Sequence, residues 1–416
     1  MQLPRPFLIG VGGAFLSLQL IFLANMCYLY GTAFHDSARY SAMHVLYVDY
    51  DQGPIGESVV GAYNLLQGPS IVTLEQHSAS EYPTEHDVQQ AVRKGQYWGA
   101  IYARANASMH LAAAVTSSDA AQAYNRSQAL QYYWKGARYA SYATGVYSQL
   151  AELVETTAAV YAQTHGTTLL SIASNITDPA IAATLLLPVG GTATDLAPMG
   201  QGVRFYYNTV SMVMTILPQF FFLMALNGLS TQWNLFSRLS PRQNLLLRLA
   251  ISLIYTFIAA LVMSGYIWAF RETWSVTGSQ FALTWMAIWL AMHLHFLFID
   301  FATAFIPPQF LPFFMLTWII LNVSSSISPF ELSAGFYRVG YALPAHELYE
   351  VLLQIWTNGC NPFLYRALPI LWSEWLVALG LFFVGMRHRC RVVSASLPSP
   401  VTSPGFSDKN SMVSLR

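Results

Sequence analysis

The sequence predicts an α-helical polytopic membrane protein of six transmembrane helices, with an α/β extracytoplasmic domain inserted between helices 1 and 2. Three observations carry this. Of 416 residues, 54% are hydrophobic and only 10% are charged, where a soluble globular chain carries about 25% charged residues. The apolar residues gather into runs long enough to use lipid as solvent. A single polar stretch, from about Phe34 to Arg204, separates the first run from the others.

The first run, Phe7 to Tyr30, contains no charged residue. At 1.5 Å per residue it exceeds the roughly 30 Å hydrocarbon core. Arg5 and the small residues Gly31-Thr32-Ala33 also suit a cleaved signal peptide, but an h-region is only about 7–15 residues long. An uncleaved signal anchor over residues 1–33 is therefore preferred. Five further spans are expected at about Val210–Leu229, Leu249–Phe270, Phe281–Phe305, Phe310–Ile327 and Leu368–Met386. Pro307-Pro308 blocks helix continuation between the fourth and fifth spans. The chain thus divides into the anchor, an outer domain (34–205), a five-helix membrane domain (206–386) and a disordered cytosolic tail (387–416).

Orientation follows from arginines and sequons. With the N-terminus cytosolic, the inner flanks hold Arg5, Arg238, Arg242, Arg248, Arg387, Arg389 and Arg391, in the sense of the positive-inside rule. Asn106, Asn125 and Asn175 each begin an Asn-x-Ser/Thr sequon in the polar segment, which puts that segment in the secretory lumen as a glycosylation target. Asn322-Val-Ser324 also matches, but it falls inside the fifth span. Both termini are then cytosolic.

Within the polar segment, Met43–Asp51 reads as a strand before the turn formers Gln52-Gly53-Pro54. Ser70–Leu74 is a weaker strand and Tyr97–Tyr102 another. Thr84 can cap a helix through Asp87, with Val88, Ala91 and Val92 on one face. From Ser118 to Ser174 the Ala, Tyr and Gln content predicts one or two long helices. The Asp49-Tyr50-Asp51 triplet lacks the Gly and Glu of a calcium loop and is read as a strand end with solvated carboxylates.

Other chemistries are excluded by pattern. Twenty basic residues offset twenty acidic ones, leaving no excess for nucleic-acid binding. The three Cys, at 27, 360 and 390, have no metal-ligand spacing. No GxxxxGK[ST], GxSxG or HExxH occurs. The chain is accordingly read as a non-enzyme without cofactor or metal.

The fourth span carries His293, His295 and Asp300. His293 and Asp300 lie seven apart and share a helix face, while His295 points nearly opposite. Ionisable groups at that depth face a bundle interior or a wet cavity, which makes His293 and Asp300 the candidate polar face. Glu374 in the last span is a weaker case. Between about 328 and 368 the chain suits an outer interfacial segment, where Leu348, Val351, Leu352 and Ile355 form an apolar stripe. After Met386, Arg-His-Arg-Cys-Arg suits anionic cytosolic lipid, Cys390 is a palmitoylation candidate, and Ser399 and Ser403 precede prolines.

The order of spans, the motifs VDYDQGPIG (48–56) and YWGAIY (97–102), and FYRVGYALPAHELYEVLLQIWTNG (336–359) resemble the fungal nitrosoguanidine-resistance family. That family is similar to bacterial phage-infection proteins and ABC-2-type permeases. The resemblance implies a plasma-membrane protein tied to drug resistance and to phospholipid distribution across the bilayer, and it supplies no catalytic residues. Likeness to ABC-2 permeases implies that a separate ATPase subunit docks on the loop from Ser230 to Arg248, around Arg238 and Arg242.

The expected function is export or redistribution of amphipathic small molecules or membrane lipid, by this chain alone, as a homo-oligomer or with that ATPase. The alternative is a membrane-anchored regulatory or scaffold protein whose outer domain binds a ligand or partner.

Overall fold

A computed structural model describes residues 4–361 and 363–396. In chain order its elements are α1 (Arg5–Thr32), β1 (His44–Asp49), α2 (Pro54–Leu66), β2 (Thr73–His77), α3 (Glu85–Arg93) and β3 (Gly99–Ala103). Next come α4 (Ala107–Ala114), α5 (Ser118–Ala123), β4 (Leu130–Trp134), α6 (Ala140–Ile172), α7 (Pro179–Leu186) and β5 (Gly191–Asp195). The C-terminal part is helical: α8 (Val210–Gln232), α9 (Leu235–Arg238), α10 (Pro241–Ala269), α11 (Gly278–Phe305), α12 (Leu311–Ile327), α13 (Pro344–Trp356) and α14 (Leu364–Ser396). Among the described residues, six helices are long and apolar enough to cross a membrane: α1, α8, α10, α11, α12 and α14.

The polar segment forms a five-stranded sheet of order β2-β1-β3-β4-β5, parallel throughout except between β3 and β4. Alternation along β1 explains its central place. Val45 and Tyr47 enter the core shared with α2 and α6, while Leu46 and Val48 enter the core under α3. A strand apolar on both faces needs helices on both. The α3 side is pinned by the expected capping box, in which Thr84 Oγ1 and the Asp87 carboxylate exchange bonds with each other's backbone N–H.

The segment 118–174 holds one of the expected long helices and an unexpected strand. Only α6 is long, and β4 precedes it. Leu130 and Tyr132 turn into the α6 side while Tyr133 turns to the α3 side, so the aromatic run follows a period of two. Strand β5, unanticipated, is held by its parallel pairing to β4.

In the bundle α11 is central, packed by α8, α10, α13 and α14. Gly385 lets α14 come close, since a Cβ there would sit 3.2 Å from the Cα of Phe301. By contrast α1 touches the bundle mainly through α12, where Asn25 Nδ2 donates to Thr317 Oγ1 at 3.0 Å. Its remaining apolar surface is left for lipid.

Three boundaries differ from the sequence expectation. Helix α10 starts at Pro241 because Ser240 and Gln243 form a capping box, so Arg248 lies inside a helix and the connecting loop is short. Helix α14 runs to Ser396, so the first ten residues of the expected disordered tail, from Arg387, continue the span. Ser399 and Ser403 lie outside the described residues. Finally, α13 is packed inside the protein: His346, Glu347, Leu348, Tyr349 and Val351 are all buried among α11, α12 and α14.

Candidate functional site

A cavity of about 1170 Å³ is bounded by α11, α13 and α14, with Leu253 of α10 at its side. One end reaches the loop after β5 at Leu196–Pro198; the other reaches His293. Leu283, Met286, Ala287 and Leu290 of α11 face Leu368, Trp372 and Trp375 of α14 across it. Spacings of three and four residues on each helix produce these stripes.

His293 closes the deep end. Trp375 Nε1–H donates to its Nδ1 at 2.9 Å, and Nε2 lies 3.0 Å from Ser252 Oγ. An indole nitrogen can only donate, so Nδ1 must be unprotonated and the ring is the neutral Nε2–H tautomer. His295 faces the other way, where its Nδ1 accepts from Trp318 Nε1 at 3.3 Å.

Asp300 lies two turns further along the His293 face, 2% exposed. Arg248 binds it through two nitrogens, Nη2 at 2.6 Å and Nε at 2.9 Å, and Arg389 Nη2 adds a contact at 3.3 Å. Asn227 of α8 accepts from both arginines, and Thr303 Oγ1 accepts from Arg389 at 2.9 Å. The carboxylate ties three helices, α10, α11 and α14, and Asn227 adds α8 through the two arginines. Arg389 therefore turns into the bundle instead of toward anionic lipid, leaving Arg387 and Arg391 exposed. Sequence reasoning found Asp300 but missed both partners, because Arg248 and Arg389 each read as flanking charge just outside a span.

A second buried polar cluster joins the sheet domain to α13. Lys135 Nζ donates to Cys360 O at 3.2 Å, and Tyr139 N donates to Tyr349 Oη at 3.0 Å. Arg138 stacks on Trp98, 3.8 Å from its ring centroid, and lies 3.5 Å from Glu331. Burial, helped by nearby Arg138, pushes the Lys135 amine down to about 7. Glu350 accepts from Asn361 Nδ2 at 2.6 Å. Glu347, 0% exposed, has no hydrogen bond to either oxygen among the described residues; Arg366 Nε is 3.9 Å away. Burial pushes its carboxyl up to about 7, against the pull of Arg366 and with a push from Glu350.

The remaining sequence candidates are dispersed. Asn106, Asn125 and Asn175 are exposed on the sheet domain. Asn125 and Asn175 accept from the backbone N–H two residues on. Arg238 and Arg242 are exposed on either side of the short α9–α10 turn. Cys390 is 5% exposed and packs inward on the extended α14, so acylation there would need the thiol to become accessible. Asp49 and Asp51 are structural, Asp49 accepting from the N–H groups of Asp51 and Gln52 and Asp51 from Ser108. Asn322 of the fourth sequon is buried and donates to Trp318 O. Among the described residues, no three His, Cys, Asp or Glu side chains gather as metal ligands.

Six spanning helices with a sheet domain inserted after the first define an integral membrane protein. Residues 14–380 match the family described as protein of unknown function DUF3533, and the chain belongs to that family. Over 118 residues it is also 30% identical to an uncharacterised endoplasmic reticulum membrane protein of Saccharomyces cerevisiae. That match covers 27% of this chain and 23% of the yeast protein. No solved structure matches.

Proposed function

We propose that this chain is a non-enzymatic membrane protein that takes up amphipathic compounds or lipids in the α11–α13–α14 cavity and exports or redistributes them, supporting drug or toxin resistance. The observation that carries the reading is the cavity itself, which runs from the sheet domain down to a histidine inside a spanning helix. Its volume of about 1170 Å³ slightly exceeds the roughly 300–1,000 Å³ of drug-sized sites. The reading takes with it the ABC-2-type permease likeness expected from the sequence motifs. On this reading Arg238 and Arg242, which are exposed, face the cytosol and offer a separate ATPase subunit its dock. The yeast relative's description supports a place in secretory-route membranes; the plasma membrane, with both termini cytosolic and a glycosylated outer domain, is the endpoint proposed here.

The test is to reconstitute the purified chain in liposomes with a fluorescent lipid and measure its accessibility to an impermeant quencher, with and without ATP and a pH gradient. Protein-dependent movement that Leu283→Trp blocks is the expected result. Leu283 lines the cavity and is 55% exposed, so the added ring burdens the fold little. Movement unaffected by this variant, or none at all, would remove the cavity from the function.

The scaffold reading draws on a different observation, a concavity of about 340 Å³ on the sheet domain between α4 and α5, lined by His110, Tyr124 and Asn125. Normal resistance in a cavity-filled variant, lost on altering His110 and Tyr124, would favour it.

A further inference from the structure

The chemical class of the cavity's occupant follows from which groups line it. Among the described residues no Asp, Glu, Lys or Arg does so. The single titratable group, His293, is held neutral by the Trp375 donor. A phosphate headgroup placed there would be desolvated without the Arg or Lys that anion recognition uses, and leaving a buried charge unpaired is strongly unfavourable.

A cationic amphiphile fits no better. Quaternary ammonium groups are held by several aromatic faces converging on one point. Of the five indoles lining the cavity, four form two separate pairs, Trp274 with Trp356 at 5.7 Å between centroids and Trp372 with Trp375 at 5.5 Å, while the fifth, Trp289, packs edge-on against Phe257. Two of their N–H groups are also engaged in the wall, Trp356 with Thr284 at 3.0 Å and Trp375 with His293.

The outer mouth offers uncharged hydrogen-bonding groups instead. Ser275, Gln354 and Asn358 line it. Gln354 Oε1 accepts from Asn361 N at 3.2 Å, while its amide nitrogen and the Asn358 side chain make no hydrogen bond among the described residues. Below this rim the lining is Leu283, Met286, Leu364 and Leu368. Resting on the cavity reading above, we infer that the occupant is an uncharged lipid, with a hydroxyl headgroup at the Gln354–Asn358 rim and its apolar body running down toward His293. A sterol and a diacylglycerol both have this chemistry.

The experiment uses the full chain in phosphatidylcholine nanodiscs with photoactivatable probes. Four share one acyl chain and carry a glycerol, phosphocholine, phosphoserine or trimethylammonium headgroup; a fifth is a photoactivatable sterol. After irradiation, labelled peptides are mapped. The glycerol or sterol probe should label the peptides holding Leu283, Met286 or Leu368 at least tenfold more than any charged probe, and the stronger arm identifies the source. Leu283→Trp should abolish that labelling while lipid-facing Phe221 and Val262 stay labelled. Equal or stronger cavity labelling by a charged probe would overturn the assignment of class and leave the cavity reading intact. Labelling of Phe221 and Val262 with none in the cavity would overturn both.

Discussion

Trp375 of α14 holds His293 of α11 in one tautomer through an N–H donor 2.9 Å from Nδ1. This joins two helices that share the most extensive contact in the bundle and also keeps the cavity floor uncharged. The His293–Asp300 face, the candidate polar face of the sequence, is thereby occupied at both ends: the imidazole by its donor, the carboxylate by two arginines.

His293→Leu should strand the Trp375 N–H, at a cost of about 1–3 kcal/mol for an unsatisfied buried donor. Pairing it with Trp375→Phe should recover part of this, because two apolar partners leave nothing unpaired. The check is a double-mutant cycle on thermal unfolding in detergent. Strict additivity of the two single effects would deny the coupling.

For Asp300, removing the carboxylate should be worse than removing either arginine. Asp300→Leu leaves Arg248 and Arg389 buried without a counter-charge, and breaking a buried pair from one side costs about 3–5 kcal/mol. Asp300→Asn should be milder, since the amide oxygen still accepts. Arg248→Met should exceed Arg389→Met, as Arg248 makes the two shorter contacts. Monodisperse yield and melting temperature report this order. An Asp300→Leu protein as stable as the native one would refute the role of the cluster.

The spans were legible because lipid demands long apolar runs, and that signal survives in a single sequence. The α3 capping box was legible because it is local, with cap and partner three positions apart. What escaped was set by distant contacts. Strand β5 is a Thr-rich pentamer with no strong propensity of its own, and its parallel partner β4 lies some sixty positions away. Helix α13 read as amphipathic because polar His346, Glu347 and Glu350 sit among its leucines. The structure buries those polar groups against Ser325, Arg366, Asn361 and Tyr139, partners no periodicity reveals. At the candidate site, the sequence pointed to His293 and Asp300 but not to the cavity, whose walls come from α11, α13 and α14 together.

The three exposed sequons bear on orientation. If the sheet domain faces the secretory lumen, expression in a eukaryotic host should yield a protein whose mobility shifts on glycosidase treatment. Replacing Asn106, Asn125 and Asn175 by Gln should abolish that shift. Accessibility of the domain to protease from the cytosolic side, with no glycan on any sequon, would reverse the assigned topology.

Glu347 and Lys135 together make stability depend on pH in a particular shape. The Glu347 carboxyl is raised from 4.5 to about 7 in the folded protein. The folded state thus holds a proton that the unfolded state has released, and this contribution is complete below about pH 4.5 and lost as pH rises through 7. Lys135 works from the other side, lowered from 10.5 to about 7. Between those values the unfolded chain binds the extra proton, so stability rises with pH and is lost as pH falls toward 7. These two groups therefore place a shallow minimum near neutrality. Glu350 and Arg366 act on Glu347, and Arg138, Glu350 and Cys360 act on Lys135. Melting temperatures from pH 5 to 9 should show the dip. Glu347→Gln, which mimics the protonated acid, should flatten the acid limb, and Lys135→Met should flatten the alkaline limb. An acid limb unchanged in Glu347→Gln would mean that this buried carboxyl stays ionised in the folded protein.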